Sequence, residues 1–183
     1  MGSTVRLLDD TLIDQIAAGE VIERPANLVK ELLENTAITV SVEDGGRGLV
    51  RVSDDGIGMS PEDAALCIER HATSKIAAFE DLARVATLGF RGEALPSIGS
   101  VSKMTITTRP KADLEGTRVI VEGGEVREIS PAGCPPGTTV EVHDLFYNVP
   151  ARKKFLRARQ TETSRIFEVC QRVALSRPGL RLV

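Results

Sequence analysis

Runs of alternating apolar residues joined by tight glycine turns constrain this chain more than any other feature. Ile38, Val40 and Val42 alternate, Gly45 and Gly46 turn the chain, and Leu49 to Val52 runs back. Arg118 to Glu122 and Val126 to Ile129 flank Gly123-Gly124 in the same manner. Consecutive glycines supply the positive φ that a short hairpin turn needs, so each pair reads as two antiparallel strands. Lys103 to Thr108 reads as a further strand, and so does Thr138 to Val142 after the proline-glycine loop from Pro131 to Gly137.

Helical spacing fills the remainder. Leu12, Ile13, Ile16 and Ala17 form a stripe between Thr11 and Gly19, and Leu28, Val29, Leu32 and Leu33 form another after Pro25, a residue tolerated in a first turn. Ser60, Pro61 and Asp63 announce a helix over Ala64 to Arg70, and Phe79 to Val85 suits a short one. Between Thr87 and Ser102 the glycines and Pro96 allow only brief helix. Ile166, Phe167, Val169, Cys170, Val173 and Ala174 mark a long last helix that Pro178 and Gly179 stop, with Leu180 to Val183 read as the beginning of another element. Helices lie before and between hairpin-linked strands. The expected class is therefore α+β, a two-layer sandwich with a mixed, mostly antiparallel sheet and helices on one face.

With 183 residues, 42% of them hydrophobic, the chain can bury one core, and the expectation is one domain over residues 1–183. Cys67, Cys134 and Cys170 are odd in number and match no zinc spacing, which points to a reduced, cytoplasmic setting, with Cys67 and Cys170 in core roles. No apolar run reaches membrane-spanning length, and Met1 to Asp10 lacks an export signal. The formal charge of −3 argues against a surface that is basic all over, so contact with a nucleic acid needs a local cluster. Arg152, Lys153, Lys154, Arg157 and Arg159 form one, with Phe155 and Leu156 among them; a solvated helix face has the same composition.

On a helix, Glu31 and Asn35 lie about 40° apart around the axis and about 6 Å apart along it. Asn35 projects near Leu28 and Leu32, where its amide needs a partner, and a cation is one that suits it. Glu31 at the edge of the stripe could then deprotonate a water beside that cation, although a surface charge and a helix-ending asparagine share the pattern. Asp54, Gly56 and Gly58 follow an apolar strand: the carboxylate can accept from an exocyclic amine and the glycines allow close approach of a flat ligand, or simply a tight turn. Gly89 to Leu95, including Arg91, Gly92, Glu93 and Ala94, runs from a glycine loop into a helix start whose free N–H groups suit phosphate. Thr73, Ser74 and Lys75 offer hydroxyls and an ammonium to the same anion. His71 and His143 have no third partner in view and read as structural or solvent-facing.

Taken in order, Glu31 with Asn35, Asp54 to Gly58, Gly89 to Leu95 and Gly137-Thr138 resemble the four motifs of the ATP-binding module shared by gyrase, the Hsp90 chaperone, histidine kinases and MutL. Gln15 to Val21, Arg70 to Ile76 and Phe146 to Arg152 resemble MutL mismatch repair proteins in particular, and the likeness covers nearly the whole chain. It implies magnesium-dependent ATP hydrolysis, with Glu31 as general base, Asn35 as the magnesium ligand, Asp54 as adenine reader supported by Thr138, and Arg91, Gly92, Glu93, Ala94 and Leu95 in a phosphate-covering lid. It also implies a role in DNA mismatch repair with a partner of the MutS type and ATP-driven homodimer closure in a longer protein. Arg152, Lys153, Lys154 and Arg157 are the candidates for weak, sequence-independent DNA contact.

The pattern departs from the family where Asn35 is followed by Thr36, Ala37 and then at once by the strand from Ile38. A small residue and a D-A-containing loop are expected there. A transducer domain with its phosphate-reaching lysine and a dimerisation domain are likewise expected to come after, so the reading is an N-terminal module, mainly monomeric and weak in turnover. The competing expectation is a DNA-binding module whose nucleotide site is inert because of the short loop. Phe146 to Arg152 disfavour the chaperone and topoisomerase branches.

Overall fold

A computed structural model describes residues 15–18, 22–33, 37–70, 72, 92–177 and 179–183. Among the described residues, seven strands form one sheet: β1 (Ala37–Glu43), β2 (Leu49–Asp54), β3 (Lys103–Arg109), β4 (Gly116–Glu122), β5 (Glu125–Ala132), β6 (Gly137–His143) and β7 (Arg181–Leu182). Their spatial order is β5-β4-β3-β6-β2-β1-β7. All neighbours are antiparallel except β1 and β7. The helices are α1 (Pro25–Leu32), α2 (Pro61–Leu66), α3 (Ala94–Ser100), α4 (Pro150–Phe155) and α5 (Arg159–Ser176), and residues 15–18 are also helical. The mixed, mostly antiparallel sheet with helices on one face is the fold that the hairpin pattern predicts.

Register organises the inner face into rows. Val42, Val50, Val142, Met104 and Val121 lie side by side across five strands, and Val40, Val52, Val140, Ile106 and Val119 form the next row. Against these rows pack Leu28 and Val29 of α1, Ala64 of α2, Ile98 of α3 and Ile166 of α5, all buried. The outer face is polar. Arg51 pairs with Glu141, Arg118 with Glu128, and Thr139 donates to Ser53 Oγ at 3.0 Å. One face apolar and one polar is the alternation that a sheet covered on a single side requires.

Several boundaries differ from the sequence reading, each for a local reason. The helix expected over Ala64 to Arg70 is α2, which starts earlier because Ser60 Oγ accepts from the Asp63 N–H at 3.1 Å and Pro61 fits the first turn. It ends at Leu66, leaving Cys67 as a half-buried cap packed against the edge of the core. The last helix begins at Arg159, well before its apolar stripe, and Cys170 on it is only half-buried. Leu180 to Val183 contributes β7, where the Val40 N–H donates to the Val183 carbonyl at 2.9 Å and the Val183 N–H to the Ile38 carbonyl at 3.0 Å. β5 continues through Pro131, a residue tolerated there because β5 is an edge strand. The helix read over Phe79 to Val85 and most of that over Thr11 to Gly19 lie outside the described residues.

This packing sets two measurable outcomes. Ile106 is fully buried on central strand β3, so Ile106→Ala should lower unfolding free energy by about 2–5 kcal/mol, read from the midpoint of urea unfolding at constant slope. Burial raises the Cys67 thiol pKa to about 11, leaving little thiolate at pH 8; iodoacetamide should therefore label this residue far more slowly in the folded chain than in urea.

Candidate nucleotide site

A third inner row breaks the apolar pattern at one end of the sheet. Ile38, Asp54, Thr138, Thr108 and Thr117 are aligned across β1, β2, β6, β3 and β4. Thr108 and Thr117 are buried, while Asp54 and Thr138 are half-buried. A row of hydroxyls and one carboxylate beside two aliphatic rows is costly unless the groups find partners. Thr108 organises it: its Oγ1 accepts from the Met59 N–H at 2.9 Å, donates toward the Gly137 carbonyl at 3.2 Å and lies 2.9 Å from Thr138 Oγ1. Thr108 is not among the residues that the motifs single out. Its signal lies in Met104, Ile106, Thr108, where the third inward position turns polar.

The loop after β2 is drawn onto this row. Asp54 Oδ1 accepts from the Gly56 N–H at 2.8 Å, closing a tight turn. Gly58 has φ +73°, and a Cβ there would stand 2.1 Å from the Arg109 carbonyl oxygen; Gly137, at φ +113°, would place one 2.1 Å from that of Asp54. No other residue type permits both approaches. Asp55, which the motifs also pass over, binds the start of β1: its Oδ1 accepts from the Ala37 N–H at 3.2 Å.

Glu31 is half-buried in the last turn of α1, whose buried face carries Leu28 and Val29. The helix expected to run on from Glu31 to Asn35 is interrupted at Leu33, whose ψ of 66° ends the helical path after Leu32; Asn35 itself lies outside the described residues, as do Thr73, Lys75 and Arg91. Gly92 is described, with φ +64° and the Ala72 carbonyl 2.3 Å from where a Cβ would be, so the start of the lid motif abuts the segment preceding Thr73. Glu93 caps α3 without a side-chain hydrogen bond at that end, and Ala94 and Leu95 form its first turn. Gly92 and Glu93 thus lead directly into a helix start, and Pro96 fits because it falls in the first turn.

Among the described residues no three His, Cys, Asp or Glu side chains gather as a metal cage. One open groove, of about 490 Å³ between α1 and α5, is lined by Arg24, Asn27, Thr161, Ser164, Arg165 and Arg172, and shares no residue with the polar row. No helix among the described residues is long and apolar enough to cross a membrane.

The basic cluster is divided by the fold. Lys153 and Lys154 are exposed on α4, and Phe155 is 78% exposed beside them. Arg152 is half-buried, reaches back toward the Ile16 carbonyl at 3.4 Å and has its Nη1 buried with no partner among the described residues. Arg157 is exposed in the break between α4 and α5. Nearby, Asp144 draws Lys103 into a 3.0 Å ion pair and raises the lysine pKa, and the ammonium lies 5.4 Å from the Tyr147 ring centroid.

No family model matches the chain. Curated relatives do: it is 55% identical over 97% of its length to the DNA mismatch repair protein MutL of Syntrophotalea carbinolica, and 51% identical over 99% to that of Geobacter sulfurreducens. With MutL of Geotalea daltonii it is 50% identical over its full length. That alignment runs over 189 positions against 183 residues here, so the relative holds residues with no counterpart in this chain. The chain spans only 29% to 32% of the length of these relatives. Among solved structures, the Aquifex aeolicus MutL ATPase domain complexed with ADP matches with a TM-score of 0.70 and 34% identity, covering 88% of this chain and 59% of that one. The N-terminal domain of a DNA repair protein matches with a TM-score of 0.75 and 26% identity over 93% of this chain and 50% of that one. A shared fold alone would leave several families open, but identity of 50% or more sustained along the chain does not: it belongs to the MutL family and corresponds to part of the ATPase domain.

Proposed function

We propose that this chain is the ATP-binding and hydrolysing module of a MutL-type mismatch repair protein, a nucleotide-driven switch linking mismatch recognition to later repair. The observation that carries the reading is the polar row of Asp54, Thr138 and Thr108 at the end of an otherwise aliphatic sheet face, sealed by glycines that admit a close backbone approach. The Aquifex aeolicus domain complexed with ADP has this fold and supports nucleotide as the occupant.

In this reading Asp54 accepts from the exocyclic amine of adenine, Thr138 supports the same edge, and Gly56 and Gly58 leave room for the ring. Thr73, Lys75, Arg91, Gly92, Glu93, Ala94 and Leu95 handle the phosphates, with lysine, arginine and backbone N–H groups offsetting their charge. Asn35 would hold magnesium through its side-chain oxygen, a hard donor that suits this ion. When bound, the metal neutralises charge on the triphosphate. Glu31 takes the proton from the attacking water as its oxygen bonds to the γ-phosphorus and the bond to the β–γ bridging oxygen breaks, releasing ADP and phosphate. Beyond positioning and charge stabilisation the protein has little chemistry to perform.

The module acts in the cytoplasm within a longer protein that closes as a homodimer on ATP and meets a MutS-type partner, while Lys153, Lys154 and Arg157 touch DNA phosphates. A second reading, a DNA-binding module with an inert nucleotide site, draws support from the residues that the Geotalea daltonii relative holds and this chain lacks. Calorimetry with magnesium and ATP on this chain and on one with the loop after Asn35 restored separates the two. The restored chain should bind and hydrolyse ATP, and Glu31→Ala in it should keep binding but lose about 100-fold or more in hydrolysis. ATP turnover that is absent in this chain and appears only once the loop is restored selects the second reading for the chain as it stands. For the DNA surface, replacing Lys153, Lys154 and Arg157 by Gln should weaken duplex binding and reduce the slope of log K against log salt by about one for each phosphate no longer neutralised. An unchanged slope removes DNA binding from this cluster.

A further inference from the structure

The helix that carries Glu31 is held at both ends by side chains of α5 and its exit. At its start, Arg24 Nη1 donates to Glu162 Oε1 at 2.9 Å. At its end, Arg177 Nη1 donates to the Leu33 carbonyl at 3.1 Å. Glu162 is fully buried, a rare state for a carboxylate and one that demands pairing. Its Oε1 also accepts from the Arg157 backbone N–H at 2.7 Å, while Oε2 is buried and has no partner among the described residues. The other side of Arg157 is gripped as well, for Arg47, just past the β1–β2 turn, donates to its carbonyl. A single oxygen therefore joins the helix of the nucleotide site to the break between α4 and α5. That break is extended at Leu156 and Ala158, so no intrahelical hydrogen bonds insulate Arg157 from movements of its neighbours.

We propose that Glu162 is a positioning residue for the nucleotide site: a polyanion drawn onto Lys153, Lys154 and Arg157 displaces the Arg157 backbone, and Glu162 passes that displacement through Arg24 to the helix bearing Glu31. The inference rests on the ATPase reading above. A purely structural Glu162 would affect the whole fold alike. A positioning Glu162 selects one helix, because the hydrogen bonds of the nucleotide floor on β2, β6 and β3 do not include it.

Hydrogen exchange on the whole chain, with and without a duplex oligonucleotide, tests this. In the parent, duplex should slow exchange about threefold or more at residues 150–158 and also at residues 25–33. Glu162→Leu, which can accept from neither the Arg157 N–H nor Arg24, should keep the first response and lose the second. The double variant Arg24→Gln with Glu162→Leu leaves no buried charge unpaired, protecting the fold, and should show the same selective loss. Equal responses at residues 25–33 in parent and variants, or none there in the parent, overturn the inference. ATP binding by the loop-restored chain is measured in parallel. If it fails while the exchange pattern holds, the nucleotide reading falls and the mechanical link stands.

Discussion

The placement of α1 against α5 is the constraint on which the rest of the molecule depends. An eight-residue helix is too short to be stable by its own hydrogen bonds, so its position is a property of the surface it packs on. Leu28 and Val29 supply the apolar share, and the ends are fixed by charge: Arg24 to a buried carboxylate and Arg177 to the open carbonyl of Leu33. The second contact also answers the negative end of the helix dipole with a cation. Only because the helix is held at both ends does Glu31 have a defined address. The two helices run in the same sense, since start meets start and end meets end.

The second organising device is register. Because side chains alternate with period two, aligning β1, β2, β6, β3 and β4 on two aliphatic rows automatically aligns the next inward position of each strand. On four of the five strands that position holds Asp54, Thr138, Thr108 or Thr117. Polar floor and apolar core are thus set by one choice of pairing, and a slip of one residue would turn Val50 and Val52 to solvent while bringing Arg51 and Ser53 inward. Gly58 and Gly137 protect that choice, since each allows backbone contacts that any side chain would block.

Much of this is legible in the chain itself. The hairpins around Gly45-Gly46 and Gly123-Gly124, the strand patterns and the first helix after Pro25 all derive from local periodicity and turn chemistry, and the structure places them where that chemistry predicts. Less local features are not. The two-residue β7 carries no periodicity and exists only because β1 offers it an edge. Glu162 looks like one more surface charge in a helix rich in them, and nothing nearby in sequence says that Arg24 will cover it. Of the basic run, composition cannot say that Arg152 turns inward while Lys153 and Lys154 remain in solvent. Asp54, Gly56, Gly58 and Thr138 are visible as a motif, yet Thr108, which fastens them together, lies in an ordinary strand.

Strand order has a bearing on how the chain is made. β6 sits between β3 and β2, so the earlier strands form two separate ribbons, one from β1 and β2 and another from β3, β4 and β5, until residues 137–143 exist to bridge them. On a ribosome, that interval leaves two half-sheets with open flanks and bare aliphatic faces, the state in which chains most readily stick to one another. The position of a single late strand thus sets how long those flanks stay open during synthesis.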